Sequence, residues 1–107
     1  MIKPVTKKQL SELDKTVRVH LIDIRSKQEY ETQHISTAVN IPAEDLSNVA
    51  GRFSKADMLV CIGNHGKERS QAAAEYLYRQ GFEKAFYLEG GTSDWLAGEQ
   101  KNFPNKP

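Results

Sequence analysis

Leu59-Val-Cys-Ile-Gly-Asn-His-Gly-Lys-Glu-Arg-Ser70 is an apolar run that breaks into a polar, glycine-bearing loop, and it holds the chain's one cysteine, Cys61. The apolar part, Asp57 to Ile62, is short and bounded by polar residues, which reads as a buried strand. Ser70 to Gln80 is rich in strong helix formers and stops at Gly81, a residue suited to a helix C-terminus. Strand, loop and helix in this order form the unit from which parallel sheets grow, because parallel neighbours need crossover connections.

Outward from this stretch the alternation continues. Thr6 can cap a helix running to about Lys15 with Leu10 and Leu13 inward. Val17 to Ile24 is β-rich, with Val17, Val19, Leu21 and Asp23 in period two. Ser26 heads a short helix from Lys27 to about Gln33, and Glu29 stands three residues later to complete a capping box. Ala38-Val-Asn-Ile-Pro42 reads as a strand stopped by proline, and Ala43 to about Phe53 as a helix with Leu46 and Val49 inward. Ala85 to Leu88 is another strand, after which Gly90-Gly91 turns into a last helix around Trp95. The pattern predicts an α/β domain with a largely parallel sheet. Such sheets bind ligands beyond the carboxyl ends of their strands, where Cys61 stands.

A length of 107 residues fits one domain, 1–107, with a core from about 5 to 96 and a frayed tail at 101–107. A net charge of +1 gives no case for nucleic acid or an anionic membrane as partner. One cysteine excludes an internal disulfide and a multi-thiolate metal centre, so no metal is expected. The N-terminus lacks the apolar core of a signal peptide, and no apolar run approaches the roughly 20 residues that span a membrane. The expectation is a cytoplasmic protein whose lone thiol stays reduced.

A thiol becomes a nucleophile when its thiolate is stabilised by a helix N-terminus or nearby cations. After Cys61 come Gly63 and Gly66, whose freedom lets backbone N–H groups turn inward as an anion cradle. Lys67 and Arg69 add positive charge, His65 offers acid–base chemistry, and Glu68 offsets part of this field. The plainer reading is that Cys61 is a small apolar residue ending a buried strand, with ordinary turn glycines and a solvated loop after it. Both readings stand on these residues alone.

Leu21-Ile-Asp-Ile-Arg25, Glu29-Tyr30, His34-Ile35, Ala38-Val-Asn-Ile-Pro42, the Cys61 loop and Glu89-Gly-Gly-Thr-Ser-Asp-Trp95 follow one another as in rhodaneses. From about Val5 to Leu96 the chain resembles a single-domain rhodanese, a sulfurtransferase. The resemblance implies a three-layer fold, with a mostly parallel five-stranded sheet between helices, and no cofactor. It implies a cysteine that takes a sulfane sulfur from thiosulfate or a related donor and passes it to cyanide or a thiol; a wider cradle would also admit a persulfide-carrying protein. Carried over by position, Cys61 is the persulfide-forming nucleophile. The backbone of Ile62, Gly63, Asn64, His65, Gly66, Lys67, Glu68 and Arg69 is the substrate cradle, and Arg69 is the basic residue at its end. Asp23 and Arg25 match an Asp-x-Arg element near the mouth, with Arg25 expected to pair with Glu29 and counted among the substrate-binding residues. Trp95 and Tyr30 are expected to be packing residues.

Loop length separates the alternatives. The common short loop of the resembled family has four residues between Cys and Arg, whereas Ile62 to Glu68 makes seven. Counting forward from the strand gives Cys61 and an enlarged loop; counting back from Ser70 puts Asn64 in the nucleophile's place and leaves the domain without a thiol. The second course implies a non-catalytic protein-interaction module. Val60-Cys-Ile-Gly-Asn64 with Arg69-Ser70 also resembles the phosphate loop of low-molecular-weight tyrosine phosphatases, so a cysteine-dependent phosphatase or arsenate reductase is a third reading. That family has five intervening residues and places its loop after its first strand.

Overall fold

The computed structural model describes residues 2–13, 15–49 and 51–101. Its strands are β1 (Lys3–Val5), β2 (Val19–Asp23), β3 (Val39–Asn40), β4 (Met58–Ile62) and β5 (Ala85–Leu88). They form one sheet in the order β1-β5-β4-β2-β3, and every pairing is parallel. The sheet is thus wholly parallel rather than mostly so. The helices are α1 (Lys7–Ser11), α2 (Lys27–Thr32), α3 (Glu68–Arg79) and α4 (Gly91–Lys101), with a 3-10 turn at Ala43–Asn48.

β4 lies at the centre between β5 and β2, and all five of its residues are buried. This is why its sequence is uniformly apolar: a central parallel strand meets protein on both faces. Its side chains alternate between two clusters. Leu59 and Cys61 pack with Ile22, Ile24, Leu46, Ala74, Leu77 and Phe82, on the side covered by α3 and the 3-10 turn. Met58, Val60 and Ile62 pack with Val5, Ile35, Ala38 and Leu88, and Leu10 of α1 and Trp95 of α4 cover them. Three layers result.

The strand β1 carries no period that identifies it beforehand, since only Ile2 and Val5 are apolar and buried around it. Pro4 is tolerated there because β1 is an edge strand. Both expected capping boxes form, Thr6 with Gln9 and Ser26 with Glu29. α1 nevertheless stops at Ser11, because Glu12 N–H and Leu13 N–H donate back three residues, to Gln9 O and Leu10 O, and tighten the turn. The helix expected over Ala43 to Phe53 is only the 3-10 turn. No side chain caps its start at Pro42, and Asp45 and Val49 again bond three residues back. Leu46 and Val49 are buried as expected. α3 begins at Glu68, two residues before Ser70, which matters for the site below. The tail expected to fray lies, beyond Lys101, outside the described residues.

Candidate functional site

The carboxyl ends of β2 and β4 lie side by side: Asp23 is level with Ile62, and Ile24 N–H donates to Ile62 O at 3.0 Å. From β4 the chain runs through Gly63-Asn-His-Gly-Lys67 into α3, so the connection has five residues. Gly63 is buried, whereas Asn64 to Arg69 are all exposed.

Two devices hold this loop. From behind, the start of α4 meets its backbone: Thr92 N–H and Thr92 Oγ1 each donate to Gly63 O at 3.0 Å, and Ser93 N–H donates to Asn64 O at 2.9 Å. The first amides of a helix need acceptors outside it, and here loop carbonyls provide them. Gly91 makes the approach possible. It adopts φ +59°, and a Cβ there would stand 2.7 Å from Asn64 O and 2.8 Å from Gly63 O. At its other end the loop passes through Lys67 into Glu68, where α3 starts with no side-chain hydrogen bond at its N-cap.

Cys61 is not at the mouth. It is an interior residue of β4, fully buried, on the α3 side of the sheet among Leu59, Ile22 and Leu77. Burial alone pushes its thiol from 9.0 up to about 12. The period of two explains the placement. Ile62 continues the strand past Cys61, so the cysteine points sideways into the core rather than along the sheet axis into the loop.

Of the seven residues between Cys61 and Arg69, Ile62 ends β4, Glu68 begins α3, and the five between them form the connection. With α3 beginning at Glu68, four residues, His65 to Glu68, separate Asn64 from Arg69. Asn64 is the first exposed residue after the strand. Of the residues expected to surround a substrate, His65, Gly66, Lys67, Glu68 and Arg69 lie together with Asn64 in one exposed segment, while Cys61, Ile62 and Gly63 are buried. Neither Gly63 nor Gly66 has a positive φ; Gly90 and Gly91 do.

Arg25 does not pair with Glu29. Its Nε and Nη2 donate to Asp23, the shortest contact being Nη2 to Oδ2 at 2.8 Å, and Nη2 also donates to Gln33 O at 2.7 Å. Both side chains are almost completely buried. The Asp23 hydrogen bond pushes the guanidinium further up from its ordinary value, against the cost of burial. Arg25 thus ties the end of β2 to the chain beyond α2 and does not reach the mouth with a free fork. Glu29 instead receives Arg69, with Nη1 to Oε1 and Nη2 to Oε2 both at 3.4 Å. Arg69 and the Ser26 amide hold the Glu29 carboxyl below the usual carboxylate range. His65 Nδ1 stands 3.7 Å from Asp94 Oδ1. Beside Arg69 a groove of about 450 Å³ opens between the 3-10 turn and α3, lined by Leu46, Ala72, Ala73 and Tyr76. Trp95 is half-buried in packing, and Tyr30 Oη donates to Ala38 O at 2.7 Å. Glu29 as the partner of Arg69, and Gly91 to Ser93 as the loop's support, were not legible as site residues. The only signals were the capping box and the Gly90-Gly91 pair.

Residues 6–98 match the Rhodanese-like domain family. The chain belongs to it. A protein named thiosulfate sulfurtransferase GlpE from Shewanella oneidensis is 36% identical over 81% of this chain and 85% of its own length. A putative sulfur carrier protein, YrkF, from Bacillus subtilis is 31% identical over 78% of this chain and 44% of its own length. The human single-domain sulfurtransferase TSTD1 superposes with a TM-score of 0.73 at 26% identity, covering 91% of this chain and 97% of that one. The fold is thus rhodanese-like, and these relatives are named for moving or carrying sulfur. No helix among the described residues is long and apolar enough to cross a membrane.

Proposed function

We propose that this domain acts in sulfur transfer as a binding module, seating a sulfur-bearing or oxyanion group of a small donor or partner protein at the Asn64–Arg69 segment while its own thiol takes no part. The observation that carries this reading is the burial of Cys61 in the core of β4, at 0% exposure, with its thiol pushed up to about 12. A thiolate at neutral pH needs stabilisation that an apolar wall cannot give. The open α3 amides, Lys67 and Arg69 supply donors to a ligand, and Asn64 offers a carboxamide where a nucleophile would sit.

A second reading, favoured by relatives named thiosulfate sulfurtransferase, makes Cys61 a sulfur carrier. Its thiolate would attack the sulfane sulfur of thiosulfate, the S–S bond would break, and sulfite would leave with the bonding electron pair. Cyanide or a thiolate would then take the outer sulfur and return the Cys61 thiolate. This course requires the end of β4 to open and expose Sγ.

One measurement separates the two. After incubation with thiosulfate and with an organic persulfide, intact mass should show no added sulfur on the wild-type chain, while the amide signals of Asn64 to Arg69 shift. Gain of one sulfur atom, lost on treatment with cyanide and absent from Cys61→Ser, would overturn the binding-module reading in favour of the carrier.

A further inference from the structure

Carboxylates already partner the mouth's polar side chains: Arg69 pairs with Glu29, and His65 Nδ1 stands 3.7 Å from Asp94 Oδ1. Among these, Glu29 differs from the others in being locked. Its Oε1 accepts from Ser26 N–H at 3.1 Å and Ser26 Oγ at 3.2 Å, and its own N–H donates back to Ser26 Oγ at 3.2 Å. A side chain fixed on one side by a capping box cannot swing away cheaply when a second anion approaches on the other. Its two oxygens meet the two terminal nitrogens of Arg69 in a fork-to-fork arrangement, the geometry a bound oxyanion would use.

We infer that Glu29 is a built-in competitor for Arg69 and a specificity-determining residue: it weakens doubly charged oxyanions at the mouth more than singly charged or neutral groups. This rests on the binding reading above and names the ligand class. A dianion arriving at the α3 amides gains from Arg69 only by displacing a carboxylate, and otherwise sits beside its negative charge. Coulomb energy scales with the product of the charges, so the penalty Glu29 imposes on a dianion is twice that on a monoanion at the same place, and it offsets the equally doubled attraction of Arg69. A singly charged thiosulfonate escapes half of it, and a neutral group escapes all of it.

The test compares thiosulfate with methanethiosulfonate, which replaces one anionic oxygen by a methyl group and carries one charge fewer. Dissociation constants are read from the amide shifts of residues 63 to 69 in the wild type and in Glu29→Gln. Glutamine at this position keeps the capping acceptor, so α2 retains its start. Glu29→Gln should tighten thiosulfate about tenfold and methanethiosulfonate about threefold, the square root of that factor. An unchanged affinity ratio in Glu29→Gln overturns the inference and leaves the binding reading intact. If neither probe moves these amides in either protein, the cradle itself is refuted and the selectivity falls with it.

Discussion

Asn64 and Cys61 are three residues apart, yet they occupy different worlds: Asn64 is exposed at the head of the loop and Cys61 is sealed in the sheet. Whichever of them is a thiol decides whether sulfur can be loaded. Asn64→Cys should therefore gain one sulfur atom on incubation with thiosulfate, by intact mass, where the wild type gains none. The new side chain would stand five residues before Arg69, close to the N-terminus of α3, which stabilises a thiolate. Absence of the gain would show that the Asn64 position is not presented to donors. At this scale the sequence left the choice open for a physical reason. Cysteine carries no mark of which way it points, and an apolar run to Ile62 suits a core residue and a strand-end nucleophile alike. Only the continuation of β4 through Ile62 fixes the direction.

Among the elements, the contact between α4 and the loop depends on one glycine. Gly91 takes a left-handed φ and lies against two carbonyls that Thr92 and Ser93 then bond. Gly91→Ala should cost at least about 2 kcal/mol in denaturant-measured stability, from backbone strain and a close contact with Gly63 and Asn64. The loop amides should also lose protection, because the acceptors lose their donors together. Gly98 is the control: a Cβ there meets nothing within 4 Å, so Gly98→Ala should not destabilise. Most elements could be read from the chain, since capping boxes at Thr6 and Ser26 and the apolar β4 are local signals. β1 could not, because its three residues acquire meaning only by pairing with β5, some eighty positions later. The Ala43–Asn48 turn was misjudged because helical periodicity in Leu46 and Val49 also suits a 3-10 turn that buries the same two residues.

For the whole molecule, the buried thiol makes folding sensitive to alkali. Cys61 has its proton held in the folded state up to about 12, but releases it near 9.0 once unfolded. A raised pKa gives stability that is complete below the unfolded value and is lost as pH climbs toward the folded one. Between those limits the wild type should lose up to about 1.4 kcal/mol per pH unit from this group. Cys61→Ala should lack that component, so the difference in unfolding free energy between the two proteins should shrink from pH 8 to pH 11. A constant difference would place the thiol in contact with water. The same sheet that buries this group also decides where the molecule meets its own kind. One flank is closed by β1, three residues long and carrying Pro4, which cannot donate a ladder hydrogen bond. The other is β3, which pairs only with Ile22 and Asp23 and leaves Val19 to Leu21 beside an apolar hollow of about 310 Å³. Aggregation by strand addition is therefore directional in this protein: it is blocked at β1, and under heat or crowding it starts from the lower half of β2.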